Sequence, residues 1–259
     1  MDNRPIGIFD SGVGGLTVAR EIIRVMPARK LVYFGDSLRA PYGDRRPEEL
    51  IKFSREIINF LLGRDIAALV VACGTISATV FDIVRQMVDI PVFGMVDAAV
   101  DAALLATKSG RIGIVATTGT VASRAHEAAI AVRRPDAAVK AVACPLFVPL
   151  AEEGWLDNDV AKLTAGIYLS DFTNDEIDTL ILGCTHYPLL IDSIKNAVSY
   201  DVAVIDPAVN LAQNLRDIMG DLGEVNPLHE FYVSGNRDKF NRISYIALGC
   251  SYDAQIVRL

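Results

Sequence analysis

The chain echoes itself. A segment reading IGIFDSGVGG begins at Ile6, and a matching one, IGIVATTGTV, begins at Ile112. Each is an apolar strand-like run, then small hydroxyl and glycine residues, then a helical pattern. A second pair, IAALVVACGTISA from Ile66 and IDTLILGCTHYPL from Ile177, carries an apolar run into a small residue and a cysteine just ahead of a helix start. Both pairs are offset by roughly 105–110 residues, which predicts two like-folded halves related by pseudo-symmetry.

The rest of the chain fits that plan. Residues 6–9, 31–34, 69–72, 92–94, 112–115, 139–142, 179–182 and 202–205 read as strands, and 16–26, 47–62, 98–107 and 211–219 among others read as helices. Such alternation predicts parallel sheets covered on both faces, a doubly wound α/β architecture. Buried parallel strands also account for a mean hydropathy of +0.32, because their apolar blocks are short and continuous. None reaches the ~18–20 residues of a membrane span.

The first residues, MDNRP, lack a charged n-region and an apolar h-region, so no secretory signal is expected. Four cysteines without framework spacing are expected to be thiols, and the cytoplasm is the expected compartment. The net charge is −7, and the Arg45-Arg46 and Arg133-Arg134 pairs stand alone. With no basic stripe interleaved with aromatics, a nucleic-acid surface is excluded.

In parallel α/β sheets, ligands bind beyond the carboxyl ends of the strands. Asp10, Ser11, Cys73, Thr117 and Cys184 all fall at such ends. If the halves face one another, Cys73 and Cys184 meet across a single cleft. Two facing thiols suit a reaction in which one base removes a carbon-bound proton and an acid on the opposite face returns one. A helix start beneath each cysteine is expected to lower its thiol pKa from ~8.5. Cys144 and Cys250 lack the matched context and read as small buried hydrophobes.

Other chemistries fit less well. In the glycine-rich turn after Phe9, the third glycine of a dinucleotide fingerprint is replaced by Thr17, and no phosphate-loop Lys-Ser/Thr follows. A turn that offers backbone N–H groups and Ser11 to a carboxylate is the better reading. Cys184-x-His186 has no second ligand pair at metal spacing. No lysine stands in a setting that marks a pyridoxal site, so no cofactor is expected.

FDSGVGGLTV from Phe9, YFGDSLRAPYG from Tyr33, ACGTISA from Ala72, CPLFVPLAEEG from Cys144 and LGCTHYPLL from Leu182 resemble the signature segments of the glutamate racemase family, in family order and across nearly the whole chain. The resemblance implies two pseudo-symmetric α/β domains with the active site between them. One would comprise residues 1–96 plus 209–259, the other 97–208. It implies cofactor-independent interconversion of L- and D-glutamate, with the D-enantiomer going to peptidoglycan. Cys73 would deprotonate D-glutamate and Cys184 L-glutamate.

The same resemblance puts Asp10 beside the first thiol, Glu152 and His186 beside the second, and Asp36 in a lesser catalytic role. It assigns Ser11, Tyr42, Gly43, Gly74, Thr75, Thr117, Thr120 and Thr185 to the substrate's carboxylates and amine. A homodimer is implied, with no membrane or direct nucleic-acid contact. Some family members are reported to inhibit DNA gyrase, which makes a protein partner the reading from another functional class.

One position departs from the family. Gly74 stands where the pattern has asparagine, and Ile76 where a smaller residue is usual. Loss of that asparagine removes an expected bond to substrate worth roughly 1–3 kcal/mol, and glycine is expected to free space beside the thiol and loosen the turn. Two alternatives follow: a racemase of another amino acid such as aspartate, or a catalytically weak racemase fold with a binding role.

Overall fold

The computed structural model describes residues 2–172, 175–198, 201–221, 227–250 and 252–259. Strands β1 (Ile6–Asp10), β2 (Leu31–Gly35), β3 (Ala68–Val71), β4 (Val92–Gly94), β5 (Arg111–Ala116), β6 (Ala138–Ala143), β7 (Thr179–Leu182), β8 (Ala203–Ile205), β9 (Glu230–Val233) and β10 (Gln255–Ile256) form two sheets. The first has the order β10-β9-β2-β1-β3-β4 and the second β6-β5-β7-β8; every pairing is parallel.

The repeated sequence is a repeated fold. The order β2-β1-β3-β4 in one sheet corresponds to β6-β5-β7-β8 in the other, and the paired echoes are β1 with β5 and β3 with β7. Register follows suit. Ile6 pairs with Leu31 and Ala68, while Ile112 pairs with Val139 and Thr179.

The central strands are buried, β1, β2, β3 and β7 at every residue and β5 at every residue after Arg111. Their side chains nonetheless alternate between two cores, as a pleated strand requires. Ile6, Ile8, Ala68 and Val70 pack under helices Leu16–Val25, Pro207–Met219 and Arg237–Leu248, while Phe9, Leu69 and Val71 pack under helix Pro47–Leu62. In the second sheet Val115, Leu180 and Leu182 face helices Phe147–Glu153 and Asp159–Leu169. Ile112, Ile114 and Ile181 face helices Met95–Ala106 and Ala125–Arg133. Both sheets are therefore doubly wound.

Helices Met95–Ala106 and Pro207–Met219 carry the chain from one sheet to the other and back, and they pack on each other at the seam. The expected limits, at 96/97 and 208/209, fall inside the first turns of these two helices. The eight strands read from sequence are present, with ends displaced by at most one residue.

Two more, β9 and β10, complete the first sheet. Apolar runs of three residues or fewer, Phe231–Val233 at most, give little periodicity to detect. Cys250 also departs from expectation. It is exposed, because it follows Gly249, the left-handed cap that ends helix Arg237–Leu248. No described helix is long and apolar enough to cross a membrane.

Candidate active site

Parallel strands leave their carboxyl ends on one side of each sheet, and the seam brings the two sides together. A cavity of about 480 Å³ lies there, with Ser11 after β1, Cys73 after β3, Thr117 after β5 and Cys184 after β7 all in its walls. Tyr42, Gly43, Gly74, Thr75, Glu152, Thr185 and His186 also line it. Asp10, Asp36 and Thr120 are buried but stand one hydrogen bond behind the wall.

Asp10 ends β1 with its carboxylate turned back onto its own loop. Oδ2 accepts from the Gly12 N–H at 2.9 Å, and Oδ1 accepts from the Thr185 hydroxyl at 3.3 Å. Asp36 accepts from Tyr42 Oη, from Arg39 Nε at 2.6 Å and from Ser234 Oγ at 2.7 Å. Its visible task is to hold Tyr42 in the wall. Thr120 does the same for Thr117, whose hydroxyl lies 3.0 Å from those of both Thr75 and Thr120.

Cys73 does not have the electrostatics expected of it. Cys73 caps a helix of only six residues, Gly74–Thr79. Its pKa is raised rather than lowered, to about 12, chiefly by burial and then by the Asp10 carboxylate; the Ile76 N–H and Ser11 oppose this only in part. Desolvating a thiolate outweighs one short helix terminus. Cys184 has no helix cap at all, since a 3₁₀ turn, Tyr187–Leu190, follows it.

Cys184 instead has a charged neighbour. Its Sγ lies 3.8 Å from His186 Nδ1, and His186 Nε2 lies 3.2 Å from Glu152 Oε1. Burial works against a charge on His186, but contacts with Cys184 and Glu152 prevail and lift its pKa to about 10. Burial likewise opposes ionisation of Glu152, but His186 and Lys239 together bring it down to about 2. One wall thus carries an imidazolium beside its thiol, and the other a carboxylate.

Gly74 is not a vacancy. A Cβ built there would collide with the carbonyl oxygen of Gly183 and lie 3.5 Å from Cys184 Cα. The two cysteine turns touch backbone to backbone, so the expected free space is filled, and Gly74 opens a regular helix instead of loosening a turn. The seam has a second such contact, where Gly119 N donates to Gly43 O at 2.8 Å.

Sequence reasoning missed Asn236 and Lys239, which line the cavity from the first sheet's own side. Asn236 ends the run FYVSGN after β9, which resembles the IFDSG turn after β1, and Lys239 follows three residues later. Recognition of β9 as a strand would have led to them. Among the described residues, no group of three or more His, Cys, Asp or Glu side chains is arranged to hold a metal ion.

A doubly wound pair with its cavity at the shared carboxyl ends defines a class, and comparison with known proteins gives its name. The chain belongs to the Asp/Glu/Hydantoin racemase family, whose model matches residues 6–215. Within that family of isomerases, relatives matched along nearly the whole chain include glutamate racemases. That of Geobacter metallireducens is 45% identical over 254 residues, covering 96% of this chain and 94% of the relative. That of Neisseria gonorrhoeae is 43% identical, covering 95% and 93%.

Solved structures agree. A Bacillus anthracis glutamate racemase isoform superposes with a TM-score of 0.96 at 38% identity, covering 100% of this chain and 99% of the other. Francisella tularensis glutamate racemase, in complex with D-glutamate, superposes at 0.92 with 35% identity, covering 99% and 98%.

Proposed function

We propose that this protein racemises glutamate by proton transfer between two thiols, without a cofactor, and so supplies D-glutamate for peptidoglycan. The observation that carries the reading is the placement of Cys73 and Cys184 at equivalent points of two like-folded units, in the walls of one small cavity. The relatives' names and the D-glutamate bound to one of them support the choice of substrate.

With a pKa near 12, Cys73 rests protonated at neutral pH. In the L-to-D direction it is therefore the acid, and the role of base falls to Cys184. In the L-to-D direction, Cys184 Sγ takes the α-proton and Cys73 S–H delivers its own to the opposite face, leaving Cys73 as the thiolate and Cys184 as the thiol. The D-to-L direction reverses both steps and returns the starting state. The bound amino acid's ammonium offsets the charge of Asp10 beside Cys73. Ser11, Thr75, Thr117, Thr185 and the backbone at Gly43 are the polar groups available to its carboxylates and amine. Holding the reactants between fixed groups contributes up to ~7–11 kcal/mol.

Incubation with L-glutamate in deuterated water, followed by mass spectrometry and circular dichroism, tests this directly. Deuterium enters Cα and optical rotation decays to zero; Cys73→Ala and Cys184→Ala each reduce turnover by more than about 10³-fold. The same assay with aspartate and alanine ranks substrates. Exchange with another amino acid but not glutamate would overturn the substrate, and exchange with none would overturn the reaction.

A further inference from the structure

A row of charge runs from one unit into the other. Lys239, on helix Arg237–Leu248 above the first sheet, places Nζ 2.6 Å from Glu152 Oε2 and 3.6 Å from a carboxylate oxygen of Glu153. From Glu152 the row continues through His186 to Cys184 at the distances given above. One turn beyond Lys239, Arg242 Nη2 donates to the Glu152 carbonyl at 3.1 Å. Lys239, Glu152, His186 and Cys184 all face the cavity.

We propose that Lys239 is a positioning residue which acts through Glu152 and His186 on the Cys184 thiol. This deepens the racemase reading and rests on it. Glu152 has one oxygen for the imidazole and the other for the ammonium, so both ends of the carboxylate are held. Arg242 secures only the backbone, and without Lys239 the carboxylate is free to turn off His186. The side chains of Lys239 and Glu152 are 24% and 19% exposed, shielded enough for a charge-assisted bond to exceed the worth of an open surface pair.

The geometry adds a second consequence. Lys239 belongs to one unit, while Glu152, His186 and Cys184 belong to the other. The row of charge therefore spans the seam between the two sheets. Among the described residues, no cation is paired with Cys73 on the first unit as His186 is with Cys184.

The test compares Lys239→Met, Lys239→Gln and Lys239→Arg in the full chain. Two readouts are taken: steady-state kinetics with glutamate, and site-resolved alkylation by iodoacetamide followed by peptide mass spectrometry, which needs no turnover. For Met and Gln, kcat falls about tenfold with KM within about twofold, as expected for loss of one bond to a charged group. Alkylation of Cys184 slows by a similar factor, that of Cys73 and Cys250 is unchanged, and Arg recovers most of both.

A raised KM at constant kcat would make Lys239 a substrate contact, and an unchanged Cys184 rate, or an Arg variant as impaired as Met, would also overturn the proposal. If wild-type protein exchanges no deuterium but Cys184 alkylation still depends on Lys239, the racemase reading fails and the positioning role stands.

Discussion

Gly74 shows how one atom decides the meaning of a substitution. From sequence, it is an asparagine lost; in the structure, its missing Cβ is what allows the Gly183 carbonyl to sit against the Cys73 turn. Gly74→Asn therefore does not restore a ligand. It forces backbone apart where the two cysteine turns touch, an overpacking cost of about 1–3 kcal/mol. We expect kcat/KM to fall at least about tenfold, with a lower Tm, and Gly74→Ala to show most of the loss because the offending atom is Cβ. Turnover above wild type in Gly74→Asn would show that the seam yields. At this scale the sequence was informative about Cys73 and Cys184, whose turns are marked by motif and repeat. It was silent on rank: nothing in the string separates Ser11, in the wall, from Asp36, behind it. Lys239 had no signal of its own, since its importance depends on a residue 87 positions away in the chain.

Helix Phe147–Glu153 and the turn after β7 meet through Glu152 and His186, and this pairing makes stability depend on pH. His186 is raised from 6.5 to about 10. Its contribution is complete below about 6.5 and disappears as pH climbs through about 10. Glu152 is lowered from 4.5 to about 2, so its contribution is complete above about 4.5 and disappears as pH falls through about 2. Both act in full only between about 4.5 and 6.5. Calorimetry of wild type and Glu152→Gln should give a Tm difference that is largest near pH 5–6 and much reduced at pH 10. A difference independent of pH would assign Glu152 a packing role alone. Long, periodic elements were legible in the sequence because burial repeats along them. β9 and β10 were not, since their stability comes from pairing with strands formed far earlier in the chain, which leaves no local pattern.

Several hydrogen bonds join the two units at the cavity, and Thr117 makes one of them. Its hydroxyl links Thr75 of the first unit to Thr120 of its own. Thr117→Val leaves two buried hydroxyls short of a partner, at about 1–3 kcal/mol of unfolding free energy. Denaturant titration should show that loss with an unchanged m-value, and KM for glutamate should rise, because the residue also lines the cavity. The paired architecture itself was the most legible feature, because duplication is written in the sequence twice.

The position of β9 has a consequence for biosynthesis. It covers the outer edge of β2, yet about 200 residues separate them along the chain. At ~5–20 residues per second, a ribosome leaves that edge, with its row of unpaired backbone N–H and C=O groups, bare for about 10–40 s. The nascent polypeptide therefore spends most of its synthesis with an aggregation-prone border, which chaperone capture or the last-made segment must shield.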